Sequence, residues 1–144
     1  MAVAVIDSGI LIGAAALDDQ HHDIALEIVS GIDRGELPTG RITNYVLLET
    51  LNWIHARKQH ETAREFYRRL RQSGGFEIDH AAQKDFTVAG ELFETYDGLA
   101  FGDATTVAYM QREGIEYLYS FDDDFDALDE ISRLETPTNP FDQQ

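Results

Sequence analysis

The chain has 144 residues, 43% of them apolar, which suits one domain with a real core and is too apolar for a disordered chain. It has no cysteine, excluding disulfides and thiolate metal sites, and no apolar run long enough to span a membrane. Its formal net charge of −16 weighs against a nucleic-acid partner at low ionic strength.

The opening Met1–Asp7 has no basic segment and meets an acid too early for a secretory signal, so cytoplasmic residence is expected. Ala2–Ile6 reads as a short strand buried on both faces and ending at Asp7. Gly9–Leu17 reads as a small-residue helix broken by Asp18 and Asp19. His22–Ile32 reads as a second helix, with Ile24, Ile28 and Ile32 in one stripe. A turn region containing Pro38 leads to a short strand at Arg41–Thr43.

Thr43 is a natural N-cap for the apolar helix Asn44–Lys58. On its wheel Leu47, Leu51 and Ile54 share one face, and Glu49 shares the other with Tyr45, Val46, Asn52 and Trp53. Glu61–Gln72 is a basic amphipathic helix stopped at Ser73-Gly74-Gly75. Phe76–Asp79 reads as a strand and Ala81–Tyr96 as a helix, with Phe86, Ala89, Leu92, Phe93 and Tyr96 as its apolar side. Asp103 opens the next helix, which Gly114 stops. Glu116–Ser120 is a strand, Phe125–Leu128 a helical turn and Ile131–Leu134 a last strand. Thr136–Pro140 reads as an extended tail, giving a domain at 1–135 and a tail at 136–144. Strands alternating with helices predict a single-domain α/β fold with a mainly parallel sheet.

Four acids fall at element ends or in apolar frames: Asp7, Glu49, Asp103 and Asp122. Asp7 and Asp122 lie at the carboxyl edge of the predicted sheet, where ligands of such sheets bind. Glu49 sits among apolar neighbours, where an unpaired carboxylate is disfavoured. Acids gathered at one edge call for a cation, and a hard divalent ion takes oxygen ligands. One such ion, or two, would suit phosphate chemistry with water as nucleophile. With 27 acids in the chain, a solvated strand cap explains Asp7 or Asp122 alone equally well. Asp124 and Asp126 are alternatives or additions to Asp122, and Asp123 belongs to the same acidic loop.

Val5-Ile6-Asp7-Ser8-Gly9, Thr43-Asn44-Tyr45-Val46-Leu47-Leu48-Glu49, Gly102-Asp103-Ala104 and Ser120-Phe121-Asp122-Asp123-Asp124-Phe125-Asp126 occur in that order. Together they resemble the motifs of PIN-domain ribonucleases, in the VapC-like toxin branch. The resemblance runs from Val3 to about Leu134. It implies a three-layer PIN-like fold of about five parallel strands flanked by helices. It also implies an endoribonuclease dependent on magnesium (Mg2+) or manganese (Mn2+), acting as a toxin that a cognate antitoxin neutralises, and frequent homodimers. It carries Asp7, Glu49, Asp103 and Asp122 over as the catalytic and metal-site residues, with Ser8, Ser120, Asn52, Asp124 and Asp126 in support.

Arg57, Lys58, Arg64, Arg68, Arg69 and Arg71 form the basic stretch of an acidic chain. Arg64, Arg68 and Arg71 share a helix face. Arg57, Lys58, Arg64, Arg68 and Arg71 are candidate contacts to RNA phosphates. A solvated face paired with nearby acids is an equal reading. With lysine only at Lys58 and Lys84, the composition suits adaptation to high salt, with an ordinary acidic protein as the alternative. At molar salt the screening length is roughly 3 Å, and the charge objection to RNA weakens. His21 and His22 are expected to be structural. Trp53, Phe66, Phe86, Phe93 and Tyr109 are expected in the core or a dimer interface.

Competing readings are a catalytically silent PIN-like module that binds RNA or protein, and a phosphotransfer fold. Haloacid-dehalogenase-type enzymes want a second Asp two residues after the first, where this chain has Gly9. Receiver domains want a late Lys, and none follows Lys84.

Overall fold

The structure, a computed structural model, describes residues 2–142. Among them, five strands form one parallel sheet: β1 (Val3–Ile6), β2 (Thr39–Thr43), β3 (Phe76–Asp79), β4 (Tyr117–Tyr119) and β5 (Ser132–Leu134), in the order β3-β2-β1-β4-β5. Six helices connect them: α1 (Ser8–Ala15), α2 (His22–Asp33), α3 (Asn44–Arg57), α4 (His60–Gln72), α5 (Gln83–Thr95) and α6 (Phe101–Glu113). A 3-10 turn spans Asp123–Ala127. The expectation of an α/β fold with about five mainly parallel strands holds, with every strand pair parallel.

β1 is buried at all four residues because helices cover both faces of the sheet. Alternation along the strands divides the interior. Ala4, Ile6, Ile42 and Tyr119 pack with Ile10, Leu11, Ile28, Ile32, Val46 and Leu70 on one side. Val5 and Leu118 pack with Ala89, Leu99, Val107, Met110 and Phe125 on the other. At Gly75, entering β3, an added Cβ would lie 2.1 Å from the carbonyl oxygen of Ile32. Only glycine allows the strand to pass the end of α2 so closely.

Several predicted details change. α1 ends at Ala15 because Ala16 and Asp19 form a turn, leaving Leu17 84% exposed. α2 buries Ala25, Ile28, Gly31 and Ile32, while Ile24 is exposed. β2 begins two residues earlier than predicted, at Thr39. Thr43 caps α3 as predicted, accepting from the Val46 amide at 3.1 Å, a cap worth about 1 kcal/mol. The core stripe of α3 is Val46, Thr50 and Ile54, not Leu47, Leu51 and Ile54. That helix is apolar nearly all round and touches α1, α4 and α6, so its wheel has no unique inner face.

The largest departure is in α5. Phe86 and Phe93 are exposed, and the inward positions belong to Asp85 and Ala89. Asp85 accepts from Arg112 at 2.8 and 3.0 Å and from the Ala82 amide at 2.7 Å. A buried carboxylate held by a guanidinium and a backbone amide turns the helix away from the apolar register.

Residues 136–142 run back along the domain. The Tyr119 hydroxyl donates to the Thr138 carbonyl at 2.6 Å. The Asn139 side-chain Nδ2 donates to the Glu36 carbonyl at 3.1 Å, and Phe141 packs edge-on against Tyr117. Gln143 and Gln144, the end of the predicted tail, lie outside the described residues, as does Met1 of the predicted leaderless start.

Candidate functional site

The chain builds β1, β2 and β3 outward in one direction, then places β4 on the opposite side of β1. The crevice between β1 and β4 is therefore the switch point of the sheet, where parallel α/β proteins bind ligands. Asp7 and Ser120 follow these two strands directly. The Ser120 hydroxyl donates to Asp7 Oδ2 at 2.7 Å and accepts from the Asp122 amide at 3.0 Å. The Ser8 amide donates to Asp7 Oδ1 at 2.9 Å, so Asp7 also caps α1. Asp122 caps the 3-10 turn by accepting from the Asp124 amide at 2.9 Å.

Two further acids come from other elements. Asp103 lies in the first turn of α6, which starts at Phe101 rather than at Asp103. Glu49 projects from α3; a Cβ added to Gly102 would lie 3.8 Å from its Oε2. The Glu49 carboxylate therefore lies beside the residue that precedes Asp103.

Electrostatics ties the four into one cluster. Burial pushes the Asp7 carboxyl up to about 6, aided by the charges of Glu49 and Asp122 and opposed by the bonds from Ser120 and Ser8. Burial first, then the charges of Asp7, Asp122 and Glu49 and a hydrogen bond shared with Asp122, push Asp103 up to about 8. None of the four is in an ion pair among the described residues. An all-oxygen set holding excess negative charge, with protons retained near neutral pH, fits a hard divalent cation.

The predicted residues differ in their surroundings. Glu49 is exposed, as is Leu48 beside it, so the apolar frame does not bury this acid. Asn52, one turn further along α3, is exposed as well. Ser8 is half-buried and contributes its amide. Asp122, Asp123 and Asp124 bring carboxylate oxygens within 4.8 Å of one another. The charge of Asp122 raises the Asp124 carboxyl above its ordinary value. Asp126 is engaged elsewhere, in a forked pair with Arg133 at 2.9 and 3.1 Å.

Arg133 is the residue that sequence reasoning missed. It sits on β5, half-buried, and also donates to the Ser120 carbonyl at 3.2 Å and to Glu135 at 3.0 Å. It thus fixes the loop that carries Ser120 and Asp122. The available signal was an arginine in a three-residue strand following a run of aspartates.

The basic stretch is largely paired. Lys58 bonds Asp18 at 2.7 Å, Arg64 and Arg68 lie 3.0 and 3.8 Å from Glu61, and Arg69 bonds Glu65 at 2.7 Å. Arg57 stacks over Trp53 and Arg71 over Tyr67. His21 stacks on Phe121 with ring centres 4.3 Å apart, next to the acidic loop, and His22 bonds the Gly13 carbonyl.

Two apolar features lie outside the acidic cluster. A groove of about 590 Å³ between α2 and α4 is lined by Leu26, Val29, Phe66 and Leu70 and rimmed by Asp33 and Arg69. Phe86 and Phe93 meet Phe101, with ring centres 5.1 and 5.4 Å apart, in an exposed aromatic patch flanked by Tyr45.

The PIN domain family model matches residues 4–131. The fold is similar to that of VapC20 of Mycobacterium tuberculosis, described as a sarcin-ricin loop cleaving toxin. The two share 25% identity and a TM-score of 0.74 over 87% of this chain and 93% of that one. It is also similar to VapBC2 of Rickettsia felis bound to a promoter DNA fragment, at 15% identity and a TM-score of 0.69 over 92% and 97%. A toxin–antitoxin complex of Klebsiella pneumoniae aligns at 20% identity and a TM-score of 0.62 over 94% and 98%. No curated protein matches the chain by sequence.

Proposed function

Since the chain belongs to the PIN-domain family, we propose that it is a metal-dependent endoribonuclease and the toxin of a toxin–antitoxin pair. The observation that carries this reading is the convergence of Asp7, Glu49, Asp103 and Asp122 at the switch point of the sheet, in one electrostatic field and without a cation of the protein's own.

Asp7, Glu49, Asp103 and Asp122 would hold Mg2+ or Mn2+, with Asp124 closest in line to join them. Such an ion, when bound, supplies charge neutralisation and an activated water for attack on a phosphodiester. The protein's own groups set the stage. Ser120 and the Ser8 amide fix both oxygens of Asp7. Burial and the neighbouring acids push the Asp103 carboxyl up to about 8, a penalty that positive charge entering the cluster would relieve. Arg133 anchors the Ser120 carbonyl and leaves Asp126 outside the set.

The acidic surplus supports work at high ionic strength, where RNA phosphates meet less repulsion. Arg57 and Arg71 are the basic-stretch residues to which we assign RNA contact, since the others already pair with acids. We assign the groove between α2 and α4 to the antitoxin and the Phe86–Phe93–Phe101 patch to a homodimer contact. No helix among the described residues is long and apolar enough to cross a membrane; residence in the cytoplasm is part of the proposal, as is a division into a domain at 1–135 and a C-terminal segment at 136–144 whose Thr138, Asn139 and Phe141 contact that domain.

The test is cleavage of RNA by the purified chain with Mg2+ or Mn2+, and its loss in Asp7→Asn and Asp103→Asn. Variants that fold normally and cleave as well as the parent would overturn the assignment. RNA binding without ion-dependent cleavage would instead indicate a silent PIN-like module.

A further inference from the structure

A second cluster of ligating side chains lies at the turn between α3 and α4. His55 is in the last turn of α3, and His60 is the first residue of α4. Only Lys58 and Gln59 separate the two helices. Both histidines are exposed, and their Nδ1 atoms face each other at 3.2 Å with the rings nearly perpendicular, at 87°. Neither ring is in an ion pair with an acid among the described residues. Glu61, the nearest acid in sequence, is already taken by Arg64 and Arg68.

Two neutral imidazoles of complementary tautomer make an ordinary N–H···N hydrogen bond at this distance. The same approach also suits a metal ion that takes the place of the shared hydrogen. Zinc–imidazole bonds of about 2.0–2.1 Å meeting at a tetrahedral angle put the two nitrogens about 3.3 Å apart. Nitrogen donors select zinc, nickel or copper over magnesium and calcium. Exposure leaves the remaining coordination positions to water.

We propose that His55 and His60 form a binding site for a nitrogen-preferring divalent transition metal ion, separate from the carboxylate cluster. The ion clips the end of α3 to the start of α4. α3 carries Glu49, and α4 forms one wall of the groove lined by Phe66 and Leu70. The site therefore couples ion availability to the stiffness of both surfaces.

The experiment is calorimetric titration of the full chain with Zn2+ at pH 7.5 in excess Mg2+, which occupies oxygen-only sites. The Asp7→Asn variant is titrated alongside to remove the carboxylate cluster as a competitor. The expected result is one saturable Zn2+ per chain in both. His55→Ala and His60→Ala should each weaken it by roughly tenfold or more, about 1.4 kcal/mol. Both positions are exposed, so the melting temperatures without Zn2+ should match the parent, and Zn2+ should raise that of the parent alone. Binding that survives both histidine variants, or no saturable binding in the parent, overturns the proposal and leaves a simple hydrogen bond between the two rings.

Discussion

The Ser120 hydroxyl spans the seam between β4 and β1 to bond Asp7 Oδ2 at 2.7 Å. This bond holds the Asp7 carboxyl below where burial alone would set it. Ser120→Ala should therefore raise Asp7 above about 6, and lose about 1–3 kcal/mol of stability from unsatisfied partners. Carbon-13 NMR titration of the side-chain carboxyl reads the first effect and chemical denaturation the second. An unmoved Asp7 midpoint would show that the bond does not govern its proton.

The raised value of Asp103 fixes a sign for stability against pH in metal-free protein. Its folded carboxyl titrates near 8 and its unfolded one near 3.8, so the native state binds more protons between those limits. Stability is fully retained below about pH 4 and falls as pH rises through about 8. Asp103→Asn removes that fall. In chelator its melting temperature should match the parent near pH 4 and exceed it by a few degrees near pH 8.5. A parent no less stable at pH 8.5 than its variant contradicts the pairing of Asp103 with the other acids.

The forked contact of Arg133 separates two roles for the aspartate loop. Asp126→Asn disturbs a fully exposed, solvent-screened partner and should leave stability close to the parent's, with Mn2+ affinity unchanged. Arg133→Gln also releases the Ser120 carbonyl, and should cost about 1–3 kcal/mol and weaken Mn2+ binding. Isothermal titration of both variants decides the matter; weaker Mn2+ binding in Asp126→Asn would return that residue to the ion site.

The aromatic patch makes an assembly prediction. Phe86→Glu with Phe93→Glu should convert a dimer to a monomer in sedimentation velocity, leaving the melting profile two-state, since both side chains are exposed. A parent chain that sediments as a monomer at micromolar concentration removes the basis for the contact.

The C-terminal segment gives the last prediction. Truncation after Glu135 removes the acceptor of Tyr119, the Asn139 bond and the Phe141 packing. The shortened chain should lose about 1–3 kcal/mol in denaturant melts, chiefly from the stranded Tyr119 hydroxyl. Equal stability would mark residues 136–142 as an independent tail.

The fold was legible where one force dominated. Short apolar runs gave the strands, and Thr43 and Gly114 gave helix ends, because backbone chemistry there depends on one residue. The four acids were legible because each stands out from an apolar or cap position. Glu49 was assigned the wrong surroundings, since an all-round apolar helix does not say which side faces the sheet. Of the two places open to Phe86 and Phe93, the core is excluded; periodicity counts apolar residues and cannot see the buried Asp85–Arg112 pair that took the inner register. The partnership of Arg133 with Ser120 and Asp126 depends on tertiary geometry, which has no sequence period.

Asp7 and Ser120 are separated by 113 positions in the chain. Synthesis runs from the amino end, so β1, β2 and β3 leave the ribosome long before β4 exists to pair with β1. At a typical pace of about 5–20 residues per second, the interval is several seconds or more. Throughout it Asp7 has no Ser120 partner and Asp122 has not been made. A nascent chain therefore holds no assembled cluster until β4 and the loop after it have emerged.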